Sequence, residues 1–180
     1  SNHSPLYFVQ LLPDGKIAKL FFSGDLKIEE IDNREEKMVV ELLEGERKSL
    51  YGFYFNQEAF ITGWDSERRW YDLKPAYLKE LIEDAKMHGA AVLNPHGGEN
   101  YKSIFFPALL YPVNSKMKVW HEEQFGPVVP VVPFDDLRTP IDYIHESSHG
   151  QQVAIFGTDV NQISELIDET VNQVSRVNIN

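Results

Sequence analysis

A chain of 180 residues suits one domain, or a domain with an appendage, and can bury roughly 70% of its unfolded surface without disulfide or metal staples. Its 17 Lys and Arg against 28 Asp and Glu give a net charge of −11, a field that repels phosphate backbones and argues against nucleic-acid binding, while no stretch approaches the roughly 18 apolar residues of a membrane span. Cysteine is absent, so these residues offer no disulfide, no thiolate metal ligand and no thiol nucleophile.

The N-terminus carries no basic and apolar run of the secretory type. From Leu6 to about Trp64 the composition favours strands. Leu6 to Leu12 and Ile17 to Phe22 flank Pro13-Asp14-Gly15, in which Pro presets φ and Gly tolerates a positive one, so a hairpin is expected. A second hairpin is expected from Lys37 to Leu43 and Leu50 to Phe55, around Glu44-Gly45-Glu46-Arg47. Ile28 to Glu36 reads equally as a short helix or a solvated loop. The aromatic cluster Phe53, Tyr54, Phe55, Phe60, Trp64, Trp70 and Tyr71 suits core or interface packing better than a platform for bases or sugars.

After Leu73 the pattern changes to helices alternating with strands. Pro75 is expected in a first helical turn, with Tyr77, Leu78, Leu81, Ile82 and Ala85 at helical spacing and Gly89 as the stop. Strands follow at Ala90 to Asn94 and Ile104 to Tyr111, then a short charged turn and the strand Val128 to Phe134. A helix around Arg138 to Ser147, a strand from Gln152 to Phe156 and a helix capped by Thr158 come next. In that last helix Val160, Ile163, Leu166, Ile167 and Val171 make one stripe. Strands alternating with amphipathic helices imply βαβ units and a largely parallel sheet flanked by helices. The expected division is a strand-rich segment over 1–70 and an α/β region over 71–180.

Four motifs carry chemistry on paper. His145-Glu146-Ser147-Ser148-His149 has the zinc-protease spacing, but Gly150 is expected to end its helix, and an exposed helix end is the better reading; no metal site is assigned. Gly97-Gly98 stands between strands and lacks a phosphate-loop pattern, so a turn is expected. Asp135-Asp136 suits the acidic start of the next helix better than a cation site. The run His121-Glu122-Glu123-Gln124-Phe125-Gly126-Pro127-Val128-Val129-Pro130-Val131 forms a ligand-facing loop on one reading, in which a carboxylate accepts ribose hydroxyl protons and an aromatic edge packs on a nicotinamide. On the other reading, which composition alone favours, it is an ordinary loop with a packed Phe and solvated acids.

The sequence resembles the aldehyde dehydrogenase superfamily, and within it the NADP-dependent, non-phosphorylating glyceraldehyde-3-phosphate dehydrogenase type. The resemblance rests on Lys74 to Ala85, Gly89-Ala90, Phe106-Pro107-Ala108, Glu122 to Val131, Gly150 to Asp159 and Asn172 to Asn180. It implies an α/β fold, specifically an incomplete aldehyde-dehydrogenase-like catalytic domain with a parallel sheet and flanking helices, preceded by the strand-rich segment. It also implies that Glu123 binds the ribose of the nicotinamide and that Phe125 packs beside its ring, with NADP or NAD as the cofactor. The family acts through a Cys thiolate, whose thiohemiacetal passes hydride to the nicotinamide and leaves a thioester for water. That Cys, the Gly-rich cofactor turn, the oxyanion Asn and the general-base Glu have no counterpart in this sequence.

The resulting expectation is an aldehyde-dehydrogenase-like chain that is inactive alone and requires no cofactor. It would be a truncated relative, a piece of a complete enzyme, or a subunit that keeps this half as a scaffold. The alternative is a structural or interaction subunit. A protein partner or self-association is expected, without nucleic acid or membrane insertion, in the cytoplasm or the mitochondrial matrix.

Overall fold

The structure is a computed structural model that describes residues 6–11, 17–23, 69–101, 104–123, 127–149 and 152–179. The second expected hairpin, the segment Ile28 to Glu36 and the aromatics from Phe53 to Trp64 lie outside the described residues.

The first expected hairpin forms as β1 (Leu6–Leu11) and β2 (Ile17–Ser23), paired antiparallel with Gln10 opposite Lys19. Next come helix α1 (Arg69–Met87), β3 (Ala91–Val92) and the small pair β4 (Asn100–Tyr101) and β5 (Ile104–Phe105). They are followed by β6 (Ala108–Tyr111), the short helix α2 (Lys118–His121), β7 (Val128–Pro133) and α3 (Arg138–Glu146). The described chain closes with β8 (Gln152–Phe156), α4 (Val160–Thr170) and β9 (Arg176–Ile179).

Among the described residues seven strands make one sheet in the order β3-β6-β7-β2-β1-β8-β9. The ladders β6–β7, β7–β2 and β8–β9 are parallel, as strand–helix alternation predicts. The sheet is nevertheless mixed, because β1 runs antiparallel to both of its neighbours and β3 to β6. The N-terminal hairpin thus supplies the two strands that join β7 to β8. Leu6, Phe8, Val9, Leu20 and Phe21 are all fully buried, and each contributes roughly 1.5–3 kcal/mol of apolar burial.

Side chains alternate across the strands and divide the core into two layers. One layer packs Phe8, Phe21, Leu110, Val132 and Ile155 against Leu78, Ile82 and Ala85 of α1, Ile141 and Ile144 of α3, and Leu166 of α4. The other holds Tyr7, Val9, Leu20, Phe22, Val129, Val131 and Phe156, and no described helix contributes to it.

Several boundaries differ from the sequence expectation. Helix α1 starts at Arg69 and carries Pro75 inside it rather than in its first turn, at the cost of one backbone donor. The extended run before Tyr111 breaks at Phe106-Pro107 into β5 and β6, and the charged turn contains α2. The cap of α4 is Asp159 rather than Thr158: its carboxylate accepts from the amides of Asn161 and Gln162, leaving the Thr hydroxyl no capping role. The stripe of α4 is only partly inside, with Leu166 buried, Ile163 and Ile167 partly so, and Val160 72% exposed.

Candidate functional site

The loop opened by Glu122 and Glu123 is held in place by one face of α1. Tyr77, Glu80 and Asp84 recur at helical spacing and reach across to α2 and its exit. The Asp84 carboxylate accepts from the Lys118 amide at 2.7 Å, Glu80 pairs with the Lys118 ammonium, and the Tyr77 hydroxyl donates to Glu122 Oε2 at 3.0 Å. Burial, and then the Glu122 carboxylate, push the Tyr77 phenol up to about 12; the Glu80 hydrogen bond raises the Lys118 ammonium. One acid of the pair is therefore engaged in docking the loop. Glu123 is exposed and bonds to none of the described side chains.

Beneath this loop runs a polar chain through an apolar layer. Lys19 on β2 is 1% exposed. Its Nζ donates to the carbonyl of Trp120, the last-but-one residue of α2, and to the Tyr143 hydroxyl at 2.8 Å. Tyr143 of α3 donates in turn to Gln10 Oε1 at 2.7 Å, and Gln10 Nε2 donates to the His149 carbonyl at 2.8 Å. The amine also lies 4.1 Å from the ring centre of Tyr143 and 5.3 Å from that of Trp120, and those two rings meet edge to face at 5.1 Å. Burial lowers the Lys19 amine to about 7 and raises the Tyr143 phenol to about 12. His149 is lowered first by burial and also by Lys19, against the opposing pull of Glu123 and Glu122.

The other motifs resolve into local structure. Helix α3 ends at Glu146 and Ser147 is already extended, so His145 and His149 do not share a helical turn. His145 Nε2 lies 2.8 Å from the Glu169 carbonyl instead. Asp136 Oδ1 accepts from the Arg138 amide at 2.9 Å at the start of α3, as expected of an acidic helix start. Gly97-Gly98 is a turn: Gly98 has φ +82°, and a Cβ on Gly97 would lie 2.6 Å from Val92 Cγ1 and Asn94 Oδ1. Among the described residues no group of three metal-binding side chains is gathered.

Of the two residues the resemblance singles out, Glu123 stands on the described loop and Phe125 lies outside the described residues. The sequence reading missed Lys19, Tyr143, Gln10 and Tyr77. Lys19 alone left a signal, as one charge in the otherwise apolar run Ile17 to Phe22. Chemically, an exposed carboxylate held by a docked loop fits the hydroxyls of a ribose.

The aldehyde dehydrogenase family matches residues 75–180. The 3,6-anhydro-alpha-L-galactose dehydrogenase of Vibrio sp. (strain EJY3) is 32% identical over 100 residues, 52% of this chain and 20% of that protein. The NADP-dependent glyceraldehyde-3-phosphate dehydrogenase of Pisum sativum is 28% identical over 102 residues, 57% of this chain and 20% of that protein. Among solved structures, the NADP-dependent glyceraldehyde-3-phosphate dehydrogenase of Bacillus halodurans C-125, complexed with NADP, superposes with a TM-score of 0.53 at 31% identity, covering 59% of this chain and 21% of that one. The chain thus spans about a fifth of the length of these relatives.

Proposed function

Because the chain belongs to the aldehyde dehydrogenase family, we propose that its Glu122-Glu123 loop takes the nicotinamide–ribose end of NADP or NAD and that these 180 residues do not oxidise an aldehyde unaided. The supporting observation is the split between the two acids. Both are exposed, but Glu122 accepts from the Tyr77 hydroxyl, and Glu123 follows it on a segment anchored at three points of α1. Phe125 is proposed to pack beside the nicotinamide ring. The cofactor, when bound, would accept hydride. Glu123 would accept the ribose hydroxyls and fix the ring's position, and the loop's docking would keep that carboxylate in place without reorganisation.

The second half of the proposal follows from residue chemistry. The family's nucleophile is a thiolate, and no thiol is present in this sequence. The relatives' printed substrates, glyceraldehyde-3-phosphate above all, are the ones to try first. Incubation with NADP⁺ and glyceraldehyde-3-phosphate is expected to give no reduced nicotinamide by absorbance. Turnover by the pure chain would contradict the proposal.

Self-association or pairing with another protein is part of the same reading. Among the described residues strand β9 is the last in the sheet and is bonded only to β8, and its Ile179 is 51% exposed; such an edge is normally paired or covered. Light scattering is expected to give a mass above that of one chain, and a clean monomer that binds no partner would remove this element. The alternative function, a structural subunit that keeps the aldehyde-dehydrogenase-like half as a scaffold, is favoured if the self-associated protein ignores both dinucleotides.

A further inference from the structure

We propose that Lys19 is a positioning residue for the acidic loop: its amine, delivered from the middle of the sheet by a hairpin outside the family-matched region, fixes the backbone from which Glu122 and Glu123 project. The argument starts from what the amine touches. One of its hydrogens goes to the carbonyl of Trp120, two residues before Glu122, and another to the hydroxyl of Tyr143. From there the chain of donors runs on through Gln10 to the carbonyl of His149. Two backbone carbonyls on segments far apart in sequence, 120 and 149, are thus joined through side chains of β2, α3 and β1. No buried side-chain nitrogen or oxygen among the described residues lacks a partner, and Tyr143 also hydrogen-bonds Ser147.

The choice of residue is costly for any role other than this one. An apolar side chain at position 19 would match Leu20, Phe21 and the surrounding layer without desolvating an amine. Only a long side chain with a terminal donor, however, reaches from the sheet to a carbonyl at the end of α2. The edge-to-face rings of Trp120 and Tyr143 complete the slot and favour the ammonium, against the burial that lowers the amine to about 7. The groups beside this amine that can titrate are Tyr143, which it bonds, and His149, which it lowers; Glu123 acts on both of these and Glu122 on His149. With Tyr143 raised and His149 lowered, Lys19 is the group of the slot poised to titrate near neutral pH.

The inference rests on the cofactor reading only where a dinucleotide is used as the probe, so the test has two arms. In the first, amide hydrogen exchange is followed in the full chain for Trp120 and Glu122, whose amides bond to the carbonyls of Met117 and Lys118. Lys19→Met is expected to speed exchange there at least fivefold while the amides of α4 keep their rates. Tyr143→Phe, which keeps the ring and removes the hydroxyl, is expected to give a smaller change in the same amides and decides the matter if Lys19→Met does not fold. After correction for intrinsic rates, protection at Trp120 in the wild type is expected to change through pH about 7 and to lose that step in Lys19→Met, with His149→Gln retaining it. Exchange within twofold of wild type at these amides in the folded variants overturns the proposal.

In the second arm, NADP⁺ is titrated into wild type, Glu123→Ala and Lys19→Met. Loss of binding in Glu123→Ala with at least fivefold weakening in Lys19→Met supports both readings. Unchanged affinity in Lys19→Met overturns the positioning of the loop for its ligand while leaving the cofactor reading intact. A wild type that binds no NADP⁺ overturns the cofactor reading, and the exchange arm alone then decides the role of Lys19.

Discussion

Among the described residues, a single buried amine, that of Lys19, is shifted from about 10.5 to about 7. Lowering Lys19 from 10.5 to about 7 corresponds to a penalty on the order of 5 kcal/mol for holding the ammonium in the fold, reduced by roughly 1–2 kcal/mol through the two ring faces. The sign follows from linkage. Between pH about 7 and 10.5 the unfolded chain binds the proton and the folded one does not, so stability rises with pH across that window and levels off below it, where both states are charged. Denaturant titrations at a series of pH values are expected to show this rise in the wild type and to lose it in Lys19→Met. That variant should be at least as stable as wild type near pH 7, because replacing a buried charge by an isosteric apolar chain is often neutral or stabilising. A pH-independent difference between the two proteins would contradict the assignment. At the same scale the acid pair divides: both carboxylates are exposed, but only Glu122 accepts from the Tyr77 hydroxyl, a distinction that composition does not carry.

Among the elements, those with strong local periodicity were legible in the sequence and those set by neighbours were not. β8 falls at the expected residues, and β7 and α3 each end one residue before the expected point, because alternation of strand and amphipathic helix is a local property. The hairpin β1–β2 was legible too, from its turn residues, but its insertion between β7 and β8 was not, since pairing across more than a hundred residues leaves no local pattern. Helix α1 starts before Pro75 because a proline weakens a helix without forbidding it when packing compensates. The buried Leu78, Leu81, Ile82 and Ala85 provide that packing. The cap of α4 shows how fine the choice is: Asp159 and Thr158 are both good capping types, and only the geometry selects Asp159. Asp159→Ala is expected to lower stability by about 1 kcal/mol and Thr158→Ala by much less, measured by thermal unfolding. The reverse order would place the helix start one residue earlier. Of the candidate site, the family motif points to Glu123, whereas the anchoring by Tyr77, Asp84 and Lys19 depends on contacts between segments and became visible only in the fold.

At the scale of the whole molecule, a family-matched region over 75–180 is completed by strands from outside it. β7 and β8 do not touch; the hairpin joins them, and Phe8 and Phe21 sit fully buried at the junction. Truncating either aromatic to alanine should cost roughly 3–5 kcal/mol, so the hairpin is structurally inseparable from the region the family match covers. The same hairpin delivers Lys19 to the carbonyl of Trp120, two residues before the acidic pair, and Gln10 to Tyr143 and the His149 carbonyl. The central claim is that this loop holds a dinucleotide although the chain lacks the family's nucleophile. Calorimetric titration with NADP⁺ and then NAD⁺, beside Glu123→Ala, tests it most directly. Saturable binding that disappears in the variant is the predicted result; no heat of binding up to millimolar cofactor, or binding that Glu123→Ala leaves unchanged, would contradict it.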